Sequence, residues 1–301
     1  MRLATFQSPS GARAAVVASD ETLVPVSGLI AGGPDDILGI IDAGPGLWER
    51  LSAAAKTAKG GTPVRSAKLL APIPRVRRNV LCVGWNYVEH FEEGKDMRPA
   101  GTPQEMPSHP TFFTKQPNAV VGQGDTVWHS APVSPQLDWE VELAAIIGAT
   151  GRDIPESQAL RHIFGYTVGN DVSVRDVQRD WHGGQWFKGK SFDTSCPLGP
   201  WIVTADEIGD AQNLKLQLRV NGVVKQDSST KYMYFQLSKI IAEMSAGMAL
   251  EAGDVIMTGT PPGVGAARKP PEFLQVGDVM EAEIEKIGVL RNPIGNGPSP
   301  E

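Results

Sequence analysis

The hydrophobic and polar positions of residues 138–148 form the most informative pattern in the chain. The first half of this segment alternates, so a β-strand would point its apolar side chains to one face and Glu140 and Glu142 to the other. Same-face residues two apart lie about 6.5–7 Å from each other, which allows two carboxylates to bind one ion. The second half is apolar on both faces, which favours a strand that enters a core. We therefore predict a partly buried cation site at Glu140 and Glu142, with a half-solvated strand whose glutamates face water as the alternative.

The patterns elsewhere divide the chain into two parts. Residues 1–70 predict a small α/β domain with a role in packing or assembly. Its strands are predicted at residues 3–6, 14–17 and 22–25, and its helices at residues 34–41 and 47–56. Residues 71–78 are interpreted as a Pro-rich linker, because Pro72 and Pro74 forbid helix and favour extended chain.

Residues 79–295 are predicted to form the β-rich main domain. The Asn221-Gly222 pair predicts a hairpin between strands at residues 214–220 and 223–226. Residues 156–164 and 234–246 predict helices, the second from apolar residues at helical spacing. Further strands are predicted at residues 79–83, 111–115, 119–122 and 254–259, and a closing strand at residues 276–287.

Composition excludes several classes of protein. The chain has 301 residues, 41% of them hydrophobic, and a formal net charge of −6, which argues against nucleic acid or an anionic membrane as the main partner. It contains no apolar run near the roughly 18 residues of a membrane span. The N-terminal residues show no signal peptide, so we expect a cytoplasmic protein. Cys82 and Cys196 are predicted to be buried thiols in a reducing compartment.

A second candidate feature pairs a histidine with a glutamate. His90 and Glu93 stand three residues apart, so one helical turn would bring them together. A carboxylate beside an imidazole raises its basicity and fixes its tautomer, as a general base for water requires; a surface ion pair is the alternative reading. The Pro-rich residues 95–110 that follow are predicted to be a lid or a binding loop.

Two further residues extend the predicted cation site. Asp171 follows an apolar run in an Asn-Asp pair, where it fits either a third metal ligand at a strand end or a simple turn. Lys190 lies among aromatic residues, an unusual place for a solvated lysine, and a desolvated lysine beside a cation could stabilise an anionic substrate. The glycines of residues 259–265 lack the lysine and helix of a phosphate-binding loop.

Taken together, these segments resemble the fumarylacetoacetate hydrolase family, in the family's order and from residue 79 to the C-terminus. The residues that carry the resemblance are Gly84-Trp85-Asn86-Tyr87 with His90 and Glu93, Asp138-Trp139-Glu140-Val141-Glu142, Asn170-Asp171 with Arg175-Asp176-Val177-Gln178, Gly189-Lys190-Ser191-Phe192, and Thr258-Gly259-Thr260-Pro261.

The resemblance implies a fold, a cofactor and roles for individual residues. The fold is a β-rich α+β fold, a mixed β-sandwich or roll, and the expected assembly is a homodimer. It implies Mg²⁺ or Mn²⁺ on Glu140, Glu142 and Asp171, and a catalytic group of His90, Glu93 and Lys190, with Lys188 as a lesser rival of Lys190. It implies substrate or water contacts at Lys115, Arg175, Gln178 and Thr260. The Pro-rich segment after Glu93 is longer than in compact members, which leaves the substrate's size open.

The predicted activity is metal-dependent hydrolysis of a C–C bond in a 2,4-diketo acid such as an acylpyruvate. An oxygen-seeking ion with open positions suits the carboxylate and keto oxygen of such a substrate, and His90 with Glu93 would activate the attacking water. The alternative is a lyase, decarboxylase, isomerase or hydratase acting on a 2-keto acid, such as oxaloacetate, an unsaturated 2-oxo-dioate or ureidoglycolate. A non-catalytic metal- or ligand-binding protein is a third possibility.

Overall fold

The computed structural model describes residues 1–97 and 104–298. The strands are β1 Arg2–Ser8, β2 Gly11–Val17, β3 Thr22–Pro25, β4 Thr62–Pro63, β5 Val80–Gly84, β6 Thr111–Lys115, β7 Val120–Val121, β8 Val127–His129, β9 Leu137–Asp138, β10 Val141–Ile147, β11 Ile163–Asn170, β12 Ser173–Val174, β13 Cys196–Thr204, β14 Lys215–Val220, β15 Val223–Ser229, β16 Val255–Met257, β17 Val279–Ile284 and β18 Gly288–Asn296. The helices are α1 Val26–Leu29, α2 Ile37–Asp42, α3 Pro45–Ala55, α4 Val88–Glu93, α5 Arg175–Asp180, α6 Phe187–Lys190, α7 Ala205–Ile208 and α8 Leu237–Ser245.

Most strands belong to two sheets. The larger sheet runs in the order β4-β3-β2-β1-β13-β11-β10-β16-β5-β6, with β7 pairing β13. The smaller sheet runs in the order β15-β14-β17-β18-β8, and β9 pairs with β12 separately. Among the described residues, no helix is long and apolar enough to cross a membrane.

Strand β10 is buried on both faces, as its sequence predicts. Leu143 and Ala145 point into one apolar cluster, which contains residues of the smaller sheet and of α8. Ala144 and Ile146 point into a second cluster, which contains residues of the N-terminal helices. Two-sided packing explains why the apolar run does not alternate. It also holds the strand that carries Glu142 firmly inside the molecule.

The N-terminal strands extend the larger sheet. Strand β1 pairs antiparallel with β13, and β2, β3 and β4 follow outward from it. The β-rich α+β architecture with a small N-terminal sheet is confirmed. The proposed division of the chain into residues 1–70, 71–78 and 79–295 stays a prediction.

Several local predictions are confirmed, and others differ from the structure. The helix predicted over residues 156–164 is a 3₁₀ helix over Glu156–His162, and residues 163 and 164 already belong to β11. The hairpin at Asn221-Gly222 forms with β14 paired to β15. The closing strand predicted over residues 276–287 is shorter, because β17 covers Val279–Ile284 and residues 285–287 form the turn to β18, in which Lys286 takes a positive φ of 65°. The predicted continuous strand over residues 138–148 is wrong. The chain leaves β9, which pairs β12, and enters the larger sheet only at Val141, so Glu140 lies just before β10.

Candidate metal centre and its cavity

Three acidic side chains meet where β10 begins and β11 ends. These strands are antiparallel, with Glu142 opposite Gly169, so the start of one lies beside the end of the other. The Asp171 N–H donates to the Glu140 carbonyl at 2.8 Å, which joins the two flanking segments. Glu140, Glu142 and Asp171 each offer a carboxylate oxygen, and these atoms lie within 4.8 Å of one another in buried positions.

Two buried lysines bind this cluster from different sides. The Lys190 ammonium donates to Glu140 Oε2 and to Asp171 Oδ2, both at 2.8 Å. The Lys115 ammonium donates to Asp171 Oδ1 at 2.7 Å and to the Val172 carbonyl at 3.0 Å. Both ammonium groups are buried, and the ion pairs with the carboxylates offset part of the cost of removing them from water.

Arg175 completes the positive side of the cluster. Its NH1 group lies 2.7 Å from Glu140 Oε1 and donates to Gln178 Oε1 at 3.1 Å. Its Nε donates to Asp138 Oδ2 at 2.7 Å. Burial alone would lower the pKa of Arg175, but Asp138 and Glu140 raise it above its ordinary value. Burial alone would raise the pKa of Glu140, but Lys190 and Arg175 lower it to about 2.

Glu142 is the least compensated member of the cluster. Its Oε2 accepts the Gly259 N–H at 2.7 Å. Burial, together with the neighbouring Asp171 and Glu140, raises the pKa of Glu142 well above its ordinary value. A divalent cation would offset this repulsion, and carboxylate oxygens are ligands that Mg²⁺ and Mn²⁺ prefer. The donor set therefore fits a divalent metal ion.

The His90–Glu93 pair forms on helix α4, as its spacing predicts. His90 Nδ1 lies 2.7 Å from Glu93 Oε1, and the side chains are 13% and 20% exposed. Glu93 Oε2 accepts the Gly263 N–H at 2.7 Å, which links the helix to a segment 170 residues away. Because Nδ1 is engaged by Glu93, the remaining ring nitrogen is Nε2.

A cavity of about 650 Å³ joins the carboxylate cluster to the helix. Glu140, Glu142 and Lys190 line one part of it, and His90 lines another. Aromatic side chains form a wall, in which Trp186 lies edge-on to Trp85 and to Phe113 at centroid distances of 4.8 and 5.3 Å. Gly84 is required here, since a Cβ would lie 2.4 Å from the Trp186 ring.

The structure brings most of the predicted site residues to this cavity. The predicted residues that line it are His90, Glu140, Glu142, Arg175, Gln178, Lys190 and Thr260. Glu93 binds His90, and Asp171 binds Lys190 and Lys115, but neither acidic residue lines the cavity itself. Lys115 was predicted to contact substrate or water; the structure places it against Asp171, outside the cavity lining. Lys188, the lesser rival of Lys190, is exposed and lies over the Phe192 ring.

Other residues at the site carried little sequence signal as functional groups. Asp138 was noted only as part of a motif, yet it is fully buried and binds Arg175. Gly259 and Gly263 each donate a backbone N–H to a site glutamate. Glycines in a loop are typical of turns, so only their contacts identify this role. Residues 98–103 of the predicted lid lie outside the described residues.

Comparisons with known proteins match the part of the chain that carries these site residues. A family profile described as "Fumarylacetoacetate (FAA) hydrolase C-terminal" matches residues 79–295. A relative named oxaloacetate tautomerase YisK, from Bacillus subtilis (strain 168), is 45% identical over 228 residues, which cover 76% of this chain and 73% of the relative.

Solved structures show the same architecture. The fumarylacetoacetate hydrolase EaFAH from psychrophilic Exiguobacterium antarcticum aligns with a TM-score of 0.80 at 39% identity, covering 99% of this chain and 100% of that chain. A maleylpyruvate hydrolase from Sphingobium sp. SYK-6, in complex with manganese (II) ion and pyruvate, aligns with a TM-score of 0.79 at 28% identity and the same coverage. The fold resemblance inferred from the sequence is therefore confirmed.

Proposed function

The chain belongs to the fumarylacetoacetate hydrolase family, and on that premise we propose that it interconverts the keto and enol forms of oxaloacetate or a closely related 2-keto acid. It is an enzyme of this family, and a relative with 45% identity is named an oxaloacetate tautomerase. An isomerase that acts on a 2-keto acid was one of the alternatives that the sequence left open beside hydrolysis. Isomerisation is therefore the first candidate activity, ahead of hydrolysis.

The observation that carries this proposal is the shared cavity. Glu140 and Glu142 of the buried carboxylate cluster and His90 of the His90–Glu93 pair line the same cavity. Glu140, Glu142 and Asp171 would hold Mg²⁺ or Mn²⁺, and such an ion acts as a Lewis acid on a carbonyl oxygen. Tautomerisation needs a base for the C3 proton and stabilisation of negative charge at the C2 oxygen, and the cavity offers groups for both.

Separate residues would transfer the proton, stabilise the negative charge and bind the substrate carboxylate. His90, held by Glu93 at Nδ1, would take the C3 proton on Nε2 and pass it to the C2 oxygen, which gives the enol; the reverse transfer would restore the keto form. Lys190, fixed by Glu140 and Asp171, would place its positive charge beside the developing oxyanion. Arg175, paired with Gln178, would attract the substrate carboxylate. The Thr260 hydroxyl donates to the Val141 carbonyl, so Thr260 would shape the cavity wall beside the cluster.

Hydrolysis of a C–C bond is the second candidate. The observation in its favour is the carboxylate-bound histidine at the cavity, since an imidazole oriented in this way can activate water. The related structure named maleylpyruvate hydrolase gives this candidate further support. The two candidates use the same binding groups and differ in whether His90 removes a proton from carbon or from water.

A parallel assay separates the two candidates. Purified protein with Mg²⁺ or Mn²⁺ is mixed with enol-oxaloacetate, and ketonisation is followed by loss of the enol's ultraviolet absorbance. Acylpyruvates and oxaloacetate are incubated in parallel, and pyruvate release is measured by mass spectrometry. We expect accelerated ketonisation without pyruvate release above that of a protein-free control with the same metal. Pyruvate release from an acylpyruvate without accelerated ketonisation would favour the hydrolase, and neither activity would refute both candidates.

Two other expectations concern the whole protein. Assembly as a homodimer stays a prediction, which light scattering on the purified chain would check. The cytoplasmic location also stays a prediction, and localisation of a tagged chain would test it.

A further inference from the structure

We propose that Asp138 is a positioning residue that joins the two working parts of the cavity. Through one carboxylate oxygen it fixes Arg175, and through both oxygens it fixes the segment 263–266, which in turn orients Glu93. This proposal rests on the proposed function, because it needs Arg175 and the His90–Glu93 pair to act on the substrate.

The Asp138 carboxylate is fully occupied by donors. Its Oδ1 accepts the Trp139 N–H at 2.8 Å and the Gly265 N–H at 2.7 Å. Its Oδ2 accepts the Ala266 N–H at 2.9 Å and the Arg175 Nε–H at 2.7 Å. The side chain is completely buried. Four donors around one buried carboxylate form a strong, directional clamp.

The first arm of the clamp sets the position of Arg175. With Nε held by Asp138, the guanidinium plane is fixed, and NH1 reaches both Glu140 and Gln178. The NH2 group is buried without a hydrogen-bond partner among the described residues, and Arg175 lines the cavity. A planar guanidinium anchored at both Nε and NH1 is held in one orientation at the cavity, and its charge is therefore fixed in place for an anionic substrate.

The second arm sets the position of the segment 263–266. Asp138 holds Gly265 and Ala266, and the nearby Gly263 N–H donates to Glu93 Oε2 while Glu93 Oε1 binds His90. Val264 and Ala266 line the cavity. The segment has little room to shift, since Gly263 has a φ of 108° and a Cβ there would lie 2.2 Å from the Lys225 carbonyl oxygen. Because the Gly263 N–H binds Glu93, any shift of this segment would also shift the Glu93 carboxylate.

The Asp138→Asn variant tests the hydrogen bonds and the charge of Asp138 separately from the size of its side chain. Asparagine has nearly the same shape, but one of its two terminal groups is an N–H donor. Each carboxylate oxygen of Asp138 accepts two hydrogen bonds. The NH2 group of an asparagine would therefore face two N–H donors in either orientation of its side-chain amide. The substitution also removes the negative charge beside Arg175.

A control residue lies just before strand β16 of the larger sheet. Asp254 is buried, accepts an N–H from Arg78 Nε at 3.0 Å and accepts the Glu251 N–H at 2.7 Å. It does not line the cavity. Asp254→Asn therefore weakens an arginine–aspartate contact whose carboxylate is buried while Arg78 is 37% exposed, without touching the site, and we expect its kcat/KM for enol-oxaloacetate to stay within about twofold of wild type.

The first test measures activity and coupling in the metal-loaded full chain. Asp138→Asn should lower kcat/KM by about tenfold to a hundredfold, the range seen when an orienting partner of a site residue is removed. Its effect on kcat should shrink in a Glu93→Gln background, and its effect on KM should shrink in an Arg175→Lys background, because each partner then lacks the contact that Asp138 supports. Fully additive effects in both backgrounds would overturn the proposal.

The second test does not depend on activity. Hydrogen exchange at the amides of Gly263, Gly265 and Ala266 should speed up in Asp138→Asn and stay unchanged in Asp254→Asn. Unchanged exchange in Asp138→Asn would overturn the clamp even if the enzyme assay succeeds. If wild type shows no ketonisation, the proposed function fails, and the exchange data still decide whether Asp138 holds the segment. If Asp138→Asn does not fold, Asp138→Ser, which keeps one acceptor in less volume, takes its place in both tests.

Discussion

The two walls of the cavity are built in different ways. The carboxylate wall lies at the ends of two central strands, and Glu140, Glu142 and Asp171 are fixed there by backbone pairing and buried ion pairs. The histidine wall lies on the six-residue helix α4. There His90 and Glu93 are partly exposed, and one hydrogen bond from Gly263 anchors the glutamate to another segment.

This difference separates two tasks within one site. The strand-borne wall is rigid, which suits ligands that must hold a cation against their own repulsion. The helix-borne wall precedes the Pro-rich residues and has fewer anchors, which suits a base that must approach a bound substrate. The contrast predicts that the carboxylate wall controls metal binding while the histidine wall controls the rate alone.

The largest effect is expected from the carboxylate wall. Glu142→Gln removes a metal ligand, so metal binding should be lost and ketonisation should fall by at least about a thousandfold, since metal polarisation contributes several kcal/mol to such steps. Calorimetry with Mn²⁺ and the absorbance assay measure the two losses. Glu283→Gln, a half-exposed position in the smaller sheet, is the control. Full metal binding by Glu142→Gln would break the comparison.

The next effect tests the histidine wall by itself. His90→Asn removes the proposed base, so kcat should fall by about a hundredfold to a thousandfold, within the usual range for general base catalysis. Binding of Mn²⁺ and of oxalate should stay near the wild-type value, because the carboxylate wall is intact. His162→Asn alters a histidine that binds the Ala149 carbonyl away from the cavity and serves as the control. Loss of metal binding in His90→Asn would show that the walls are not separate.

The rise in melting temperature on metal binding tests the same difference between the carboxylate wall and the histidine wall. A ligand that binds only the folded state stabilises it, by about 2.7 kcal/mol at a hundred times its Kd. Adding Mg²⁺ or Mn²⁺ should therefore raise the melting temperature of wild type and of His90→Asn alike. The melting temperature of Glu142→Gln should not respond. Equal responses in all three proteins would indicate metal binding outside the cluster.

The smallest effect concerns pH. Burial and the repulsion from Asp171 and Glu140 raise the pKa of Glu142 well above 4.5. Below that raised pKa a proton must leave before the cation binds, so metal affinity should fall as pH falls, by up to about tenfold per pH unit. Calorimetry in buffers of different ionisation enthalpy should detect the released proton. A pH-independent affinity with no proton release would contradict this linkage.

The sequence by itself determined the local features of both walls. Period-two alternation followed by a fully apolar run located Glu142 at the entrance of a buried strand, because side-chain direction on a strand is fixed by backbone geometry. Glu140 was located beside it, although it lies just before the strand. The three-residue spacing of His90 and Glu93 predicted their contact, because one helical turn brings such residues together. The position of Asp171 after an apolar run indicated a strand end.

Only the tertiary structure decided which distant groups meet. The pairing of β10 with β11 brings Asp171 to Glu140, and packing turns Lys115 toward Asp171 and away from the cavity lining. The contacts of Asp138 with Ala266 and of Glu93 with Gly263 span more than a hundred residues. Local periodicity fixes the face on which a side chain lies. It carries no information about which strand or loop packs against that face, because strand order and long-range packing set that choice.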